Sequence, residues 1–188
     1  KSVIVHREVG ADTPSFADAL RAATRQDPDV VLVGEMRDTE TIGQAISAAE
    51  MGVLVFGTLY TNNAAKRVDR IIEVFPADQQ QQVRTQLAQS LKGVVSQLLC
   101  RTVDGKGRIA CNEVLIGNSA LSNAIREGAV SKILSIIEGA RGTGMQLMHD
   151  ALLENLRAGR ITPEEAYHKS QDKKAFEGFL RRPAGNMN

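Results

Sequence analysis

One acidic residue stands directly after an apolar run, in a position that suits chemistry. Residues 30–33 read Val-Val-Leu-Val, and Gly34 and Glu35 follow them. A short apolar run of this kind is typical of a strand in a parallel sheet, and ligands of such sheets bind at the carboxyl ends of the strands. A carboxylate at that edge can orient an attacking water molecule and help to hold Mg²⁺ during nucleotide hydrolysis. It can equally cap the next helix or pair with Arg37, and this stretch by itself leaves those alternatives open.

The elements that must position Glu35 alternate between strand and helix. Apolar runs and helical spacing predict strands over residues 3–5, 30–33 and 53–56 and helices over residues 14–26, 39–51, 64–74 and 77–99. Ser15 or Thr13 is expected to cap the first helix, and Asp38 the second. This order predicts right-handed crossovers and a parallel sheet, and the continuous apolar runs predict strands that are covered on both faces.

The pattern changes towards the C-terminus. Residues 101–103 and 108–116 flank a turn of Asp and Gly, which predicts a β-hairpin. From Ser119 onwards the spacing is helical, and the predicted helices cover residues 119–127, 131–138, 144–158 and 163–170, with fraying expected after Lys173. The sequence therefore predicts an α/β domain over residues 1–117 and an all-helical subdomain over residues 118–188.

Several ordered blocks of the sequence resemble those of one ATPase family. Residues 33–38, Val-Gly-Glu-Met-Arg-Asp, are similar to the Walker B box of the secretion and pilus ATPases, and residues 56–62 resemble their His box. Residues 120–127 resemble a signature of the retraction motors. The zinc motif of the extension motors needs four cysteines, whereas this chain has only Cys100 and Cys111. The chain is therefore similar to the C-terminal part of a type IV pilus retraction ATPase of the PilT family.

The resemblance implies a fold and a set of site residues. The fold would be a partial RecA-like P-loop ATPase core with a mostly parallel sheet, followed by the helical subdomain. Glu35 would be the catalytic base, and any contact with Mg²⁺ would pass through water, because Gly34 stands at the position of the usual Walker B aspartate. The other implied residues are the nucleotide-binding or sensing Gly34, Arg37, Thr58, Tyr60 and Thr61, the candidate phosphate or intersubunit contacts Arg7, Arg21 and Arg25, and the retraction-motif residues Ala124, Ile125, Arg126 and Glu127.

Ordinary structural roles compete with these assignments. Each of the candidate arginines can instead be a surface residue in a salt bridge. The retraction-like motif can instead be an amphipathic surface helix with Leu121 and Ile125 turned inward. The two cysteines are expected to be small buried apolar side chains in a reduced protein, because they form no C-x-x-C pair.

Two positions of the His box depart from the family pattern. Val53 and Tyr60 occupy the places where the family usually has histidine. Neither side chain carries an imidazole, which is the group that titrates near neutral pH. The resemblance therefore implies an altered, weak or absent nucleotide sensor, and it keeps open an alternative in which the protein is a catalytically weak PilT-like paralogue that joins or regulates a motor ring.

A phosphate-binding loop is absent from the sequence. No G-x-x-x-x-G-K-[ST] pattern occurs, and Gly105-Lys106-Gly107 is too short and belongs to the predicted hairpin turn. Such a loop cradles the β- and γ-phosphates of a bound nucleotide. We therefore expect this chain to be part of a longer protein, and we expect it by itself to bind ATP poorly or not at all.

The expected function is that of a homo-hexameric motor that uses ATP and Mg²⁺ to drive pilus retraction. The resemblance implies an inner-membrane platform protein as partner and a cytoplasmic location at the pilus base. A net charge of +1 and 4% aromatic residues argue against a RecA-like enzyme that acts on DNA. No window approaches the roughly 20 apolar residues of a membrane-spanning helix, so direct membrane insertion is not expected.

Overall fold

A computed structural model describes residues 2–61 and 63–180 of the chain. Its contacts divide the chain into two compact units. The first unit comprises the chain up to Tyr60 together with residues 68–91 and 125–128. The second unit comprises the other described residues.

Helices and strands alternate at first and helices dominate later. The elements in chain order are α1 (Phe16–Ala23), β1 (Val30–Val33), α2 (Thr39–Glu50), β2 (Leu54–Gly57), α3 (Ala64–Glu73), α4 (Ala77–Ser90), β3 (Gly93–Arg101), β4 (Arg108–Ile116), α5 (Ser119–Arg126), α6 (Ile133–Gly139), α7 (Met148–Arg157), α8 (Pro163–Lys169) and α9 (Lys174–Leu180). Short 3₁₀ turns cover Val130–Lys132 and Arg141–Thr143. None of the helices within 2–61 and 63–180 is both long enough and apolar enough to cross a lipid bilayer.

The first unit is built on a parallel pair of strands. β1 and β2 run in register from Val30 opposite Leu54 to Val33 opposite Gly57, which confirms the predicted parallel pairing. α1 and α2 pack on one face of this pair, where Leu20, Val33 and Ala45 form the core with Phe16, Val31, Met36 and Val55 packed against them. As predicted, side chains cap both helices: the Ser15 oxygen accepts from the Asp18 amide and the Asp38 carboxylate accepts from the Thr41 amide.

The second face of the β1–β2 pair is exposed in the part of the chain that the structure describes. Leu32 is 73% exposed and Phe56 is 53% exposed, because alternate residues of a strand point to opposite faces and α1 and α2 cover only one of them. The prediction of strands covered on both faces is therefore wrong for these residues. The predicted strand over residues 3–5 is also wrong: these residues form no strand, and Val3 is 93% exposed.

The prediction of one long helix over residues 77–99 is correct for its first half and wrong for its second half. α4 ends at Ser90, Leu91 is extended, and β3 begins at Gly93. β3 pairs antiparallel with β4 from Gly93 opposite Ile116 to Arg101 opposite Arg108. The hairpin is thus confirmed, but its first strand is longer than predicted. The apolar residues at 94, 95 and 98 suit a helix as well as a strand, and the cross-strand pairing decides between them.

The inner face of the hairpin forms the core of the second unit. Cys100 and Cys111 are buried free thiols, as predicted, with 3.7 Å between their sulfur atoms. They pack with residues of α7, α8 and α9, among them Leu152 and Phe176. The fraying predicted after Lys173 is wrong as far as Leu180, because α9 buries Phe176 completely; the rest of that tail, from residue 181, lies outside the described residues. The domain division at residue 117 stays a prediction.

Candidate active site

Glu35 lies just beyond the carboxyl end of β1, as the sequence predicts. Its side chain is 29% exposed, and one carboxylate oxygen, Oε2, is 2.8 Å from Nη2 of Arg37. The pairing with Arg37 that the sequence left open is thus present. Asp38, and not Glu35, caps α2: its carboxylate accepts a hydrogen bond from the amide of Thr41 at 2.7 Å. Glu35 is therefore free of a capping role and keeps one face open to solvent.

Thr58 fixes the backbone on both sides of Glu35. The amide of Met36 donates to the carbonyl oxygen of Thr58 at 3.0 Å. The hydroxyl of Thr58 donates to the carbonyl oxygen of Gly34. Since Thr58 directly follows β2, these two bonds extend the β1–β2 pairing past the ends of the strands and hold the Glu35 backbone between them.

The neighbours of Glu35 anchor this turn in the core. Met36 packs against the cluster around Leu20, Val33 and Ala45. A Cβ atom added to Gly57 would lie 2.5 Å from the Met36 sulfur, so a side chain there would require the flexible end of Met36 to move. A Cβ atom added to Gly34 would lie 3.9 Å from the Phe16 ring, which is an ordinary contact distance.

Arg37 links Glu35 to Tyr60. Its guanidinium carbon lies 5.8 Å from the centroid of the Tyr60 ring, within the range of a cation–π contact. Both side chains are largely exposed, Arg37 at 68% and Tyr60 at 78%. At an exposed site such a contact contributes only about 0.5–1 kcal/mol. Arg37 can therefore leave either partner at low cost.

The two positions that depart from the His box lie at opposite ends of β2. Val53 precedes the first residue of the strand, and its amide donates to the carbonyl oxygen of Ala48 at 3.2 Å. Tyr60 follows the last residue of the strand by three positions. Four strand residues rise by about 13 Å, so Val53 lies far from the end of β2 that carries Thr58 and Tyr60.

Two of the three candidate phosphate-contacting arginines are engaged with partners in the first unit. Arg21 forms ion pairs with Asp18 at 2.8 Å and with Glu40 at 2.7 Å, and its hydrogen bond to Glu40 raises the pKa of the guanidinium above its ordinary value. Arg7 donates to the side-chain oxygen of Gln26 at 2.9 Å. Arg25 is exposed just after α1. Among the described residues, no hydrogen bond or ion pair joins any of the three to Glu35.

Thr61 begins the second unit. Its carbonyl oxygen accepts from Nη2 of Arg67 at 3.1 Å. Its hydroxyl oxygen is buried and has no hydrogen-bond partner among the described residues. Asn62, which completes the resemblance to the His box, lies outside those residues.

The retraction-like motif covers the last residues of α5 and Glu127, which directly follows the helix. Ala124 and Ile125 are buried at 3% and 0% exposure, whereas Arg126 and Glu127 are exposed. Leu121, one helical turn earlier, is 1% exposed. The helix is therefore amphipathic, with Leu121 and Ile125 buried as that alternative expects, and it presents the two charged residues to solvent.

The residues present fit only an indirect contact with Mg²⁺. Within residues 2–61 and 63–180, no three His, Cys, Asp or Glu side chains are grouped closely enough to hold a metal ion. Glu35 offers one oxygen at the strand end that has no ion-pair partner among the described residues, and Gly34 offers no carboxylate. Mg²⁺ keeps several waters and is held in nucleotide sites by one or two carboxylates together with the phosphates, so Glu35 would reach it through water.

One buried acid stands outside the set of residues that the sequence predicts for the site. Glu113, on β4, is 3% exposed and accepts hydrogen bonds from the backbone of two helices. Its position alternates with the buried Cys111 and Leu115. That period-two pattern was the available signal, because it places a carboxylate on the inward face of a predicted strand.

The chain is similar in sequence to one protein family and to individual bacterial proteins. Residues 3–124 match the family described as Type II/IV secretion system protein. The Twitching motility protein of Neisseria gonorrhoeae is 51% identical over 176 residues, which cover 94% of this chain and 47% of that protein. The Type IV pilus retractation ATPase PilT of Pseudomonas aeruginosa is 46% identical over 171 residues, which cover 91% of this chain and 49% of that protein.

A solved structure also matches. The crystal structure of the pilus retraction motor PilT with bound ADP superimposes with a TM-score of 0.83 at 47% sequence identity. The match covers 92% of this chain and 48% of that one. The chain thus spans about half the length of the relatives that it matches.

Proposed function

Since this chain belongs to the family of type II/IV secretion system proteins, we propose that it is part of an ATP-hydrolysing motor that drives type IV pilus retraction and thereby twitching motility. The names of the relatives at 51% and 46% identity support the retraction branch. The observation that carries the proposal is the placement of Glu35. It is an acid at the carboxyl end of a parallel strand, with Thr58 bonded to the backbone on both sides of it.

Glu35 is the catalytic base in this proposal. Its carboxylate orients a water molecule and accepts a proton as the water oxygen bonds to the γ-phosphorus of ATP. The bond from that phosphorus to the β–γ bridging oxygen breaks, and ADP leaves with the electron pair. The 2.8 Å ion pair with Arg37 must open or rearrange for Glu35 to face the water. The exposure of Arg37 makes that change inexpensive.

The fold proposed for the longer protein is a RecA-like P-loop core of which this chain supplies a part. The uncovered apolar face of β1 and β2 supports this proposal, since Leu32 and Phe56 are more than half exposed. Exposed apolar faces of this kind are covered by further elements in parallel sheets. The phosphate-binding loop that the 188 residues lack would come from the remainder of the protein, and without it this chain would be inactive.

The nucleotide is proposed to be ATP with Mg²⁺. Its proposed binding or sensing residues are Gly34, Arg37, Thr58, Tyr60 and Thr61. Arg7, Arg21 and Arg25 remain proposed contacts to phosphate or to a neighbouring subunit. The proposed assembly is a homo-hexamer in the cytoplasm at the pilus base, acting on an inner-membrane platform protein and not on nucleic acid. Ala124, Ile125, Arg126 and Glu127 would support retraction without contacting ATP.

A second candidate is a catalytically weak paralogue that assembles with, or regulates, a motor ring. The observation that favours it is the lack of imidazole at Val53 and Tyr60. Neither side chain carries an imidazole, so neither can supply the titratable group of a histidine. The two candidates differ in the ATPase rate of the full-length protein.

The test is the ATPase rate of the full-length protein, measured for the wild type, for Glu35→Gln and for Glu50→Gln. Loss of a catalytic base is expected to lower the rate by about 10²- to 10⁴-fold. Glu50→Gln is the matched control, because Glu50 is an exposed acid of the first unit that bonds only to Gln86 among the contacts seen. Equal rates for wild type and Glu35→Gln would reject the assignment of Glu35, and a wild-type rate near background would favour the paralogue.

A further inference from the structure

Glu113 is a buried acid in the middle of β4, on the inner face of the hairpin. It is 3% exposed and stands opposite Ser96, which is 1% exposed. Burial of an ionised carboxylate is costly unless hydrogen bonds and opposite charge compensate it. Hydrogen bonds from two backbone amides provide the first kind of compensation, and the nearby charge of Arg67 provides the second.

Each carboxylate oxygen of Glu113 accepts from the first residue of a different helix. Oε1 accepts from the amide of Ala64, the first residue of α3, at 2.7 Å. Oε2 accepts from the amide of Met148, the first residue of α7, at 3.4 Å. The N-cap position of α7 is Leu147, which has no side-chain acceptor. A negative charge is stabilised at a helix N-terminus, where the amides lack partners, so one carboxylate serves two helix starts.

Arg67 supplies the opposite charge. Burial lowers the pKa of its guanidinium, and the Glu113 charge opposes that shift. Arg67 also donates to the carbonyl oxygen of Thr61 at 3.1 Å. Arg67 thus holds the carbonyl of Thr61, and Glu113 holds the amide of Ala64.

Thr61 has a buried hydroxyl with no hydrogen-bond partner among the described residues. It follows Tyr60 directly in the chain. We propose that Glu113 is a positioning residue for the nucleotide-sensing Thr61, acting through the start of α3 and through Arg67. This inference rests on the proposed function, because it takes Thr61 to be a contact of the nucleotide.

The test measures nucleotide discrimination rather than activity. In the full-length protein carrying Glu35→Gln, which is expected to slow turnover, the dissociation constants of ATP and ADP are measured by titration with fluorescent nucleotides. Glu113→Gln keeps the size of the side chain but offers only one acceptor oxygen. We expect it to lower the preference for ATP over ADP about fivefold, comparable to the loss of one hydrogen bond. Thr61→Val, which removes only the hydroxyl, should have a similar effect.

A double variant separates positioning from folding. If Glu113 acts through Thr61, Glu113→Gln combined with Thr61→Val lowers the preference no further than Thr61→Val alone. Effects that multiply would overturn the proposal, as would an unchanged preference in Glu113→Gln. The control is Glu165→Gln, since the Glu165 carboxylate accepts from the amide of Arg101 at the other end of the same hairpin, at 2.8 Å. It should leave the preference unchanged.

Arg67→Lys provides a second route if Glu113→Gln does not fold. It keeps the charge beside Glu113 but loses the planar fork that reaches the Thr61 carbonyl. A lower preference for ATP in this variant supports the proposal, and an unchanged preference overturns it. The wild-type ATPase rate distinguishes failure of the proposed function from failure of this inference. If no hydrolysis depends on Glu35, the proposed function is rejected. If hydrolysis depends on Glu35 but the variants keep the wild-type preference for ATP over ADP, only the role of Glu113 is rejected.

Discussion

Two glutamates of this chain hold the same chemical group, a carboxylate, in opposite surroundings. Glu35 stands past the end of β1, is 29% exposed, and has one charged partner, Arg37, that is itself exposed. Glu113 stands within β4, is 3% exposed, and has both oxygens bonded to backbone amides. An acid that must exchange partners during a reaction needs an open side, whereas an acid that holds structure needs every oxygen committed.

The two acids also differ in which of their atoms the surrounding structure holds in place. The turn that carries Glu35 is fixed through the backbone, by the bonds of Thr58 to Gly34 and Met36, and leaves the side chain accessible. Glu113 is fixed through its side chain. A rigid backbone with a free carboxylate is what a reactive group requires, because position is then kept while the partner changes.

The largest expected effect on stability comes from replacing Glu113, and it tests the contrast with Glu35 directly. Glu113→Ala leaves two buried amides without acceptors and Arg67 without its opposite charge. We expect the free energy of unfolding to fall by about 3 kcal/mol, since each buried unsatisfied group costs roughly 1–3 kcal/mol. Glu35→Ala should change it by less than about 0.5 kcal/mol, as is usual for an accessible side chain. Urea denaturation of the full-length protein and both variants measures the difference.

Hydrogen exchange at the two helix starts is the control for that measurement. Glu113→Ala should speed exchange of the Ala64 and Met148 amides, and Glu35→Ala should leave both unchanged. Equal destabilisation by the two substitutions would break the comparison, because it would make Glu35 as structural as Glu113.

A smaller effect is expected three residues beyond Glu35. Asp38 caps α2, and hydrogen bonds from the amide and hydroxyl of Thr41 hold its pKa below the ordinary value of 3.8. Asp38→Ala should lower the free energy of unfolding by about 1 kcal/mol, the usual cost of a lost N-cap. Urea titrations at several pH values measure it.

The pH dependence of that difference has a defined sign. Because the folded-state pKa of Asp38 is depressed, its contribution is fully present above the unfolded value of 3.8 and is lost as the pH falls through the folded value. The gap between wild type and Asp38→Ala should therefore narrow in acid. Asp38→Asn retains a capping side chain and should recover most of the loss at neutral pH. A gap that widened in acid would contradict the capping role.

The smallest expected effect compares the two ends of β2. Tyr60→His restores an imidazole at the end that carries Thr58, whereas Val53→His places one about 13 Å away along the strand. Under the proposed function, we expect Tyr60→His to raise the ATPase rate of the full-length protein about threefold, a change of less than ~1 kcal/mol in the barrier, and Val53→His to leave it unchanged. Steady-state ATPase assays measure both. An increase with Val53→His alone would show that position along β2 does not matter.

Local patterns predicted the surroundings of Glu35 well. The apolar run of β1, the cap Asp38 and the parallel partner β2 were all confirmed. Each depends on neighbours within a few residues or on a topology rule that applies to any strand–helix–strand unit. The predicted covering of both sheet faces failed because periodicity identifies apolar runs and does not show what packs against them.

The second unit was harder to predict for the same reason. The residues 94, 95 and 98 fit a helix and a strand alike, and only pairing with β4 resolves them. The only sequence signal for the burial of Glu113 was the alternation of buried and less buried positions along β4. Its hydrogen-bond partners lie 49 and 35 residues away in the chain, beyond the reach of any local pattern.

The sequence by itself determined the family resemblance, the acid at the end of β1 and the caps of α1 and α2, because these features are written in adjacent residues. Only the tertiary structure decided that Arg37 bridges Glu35 and Tyr60, that Val53 lies at the other end of β2, and that Glu113 joins two helix starts. Those contacts form when distant segments meet, and their energies depend on burial and distance rather than on residue order.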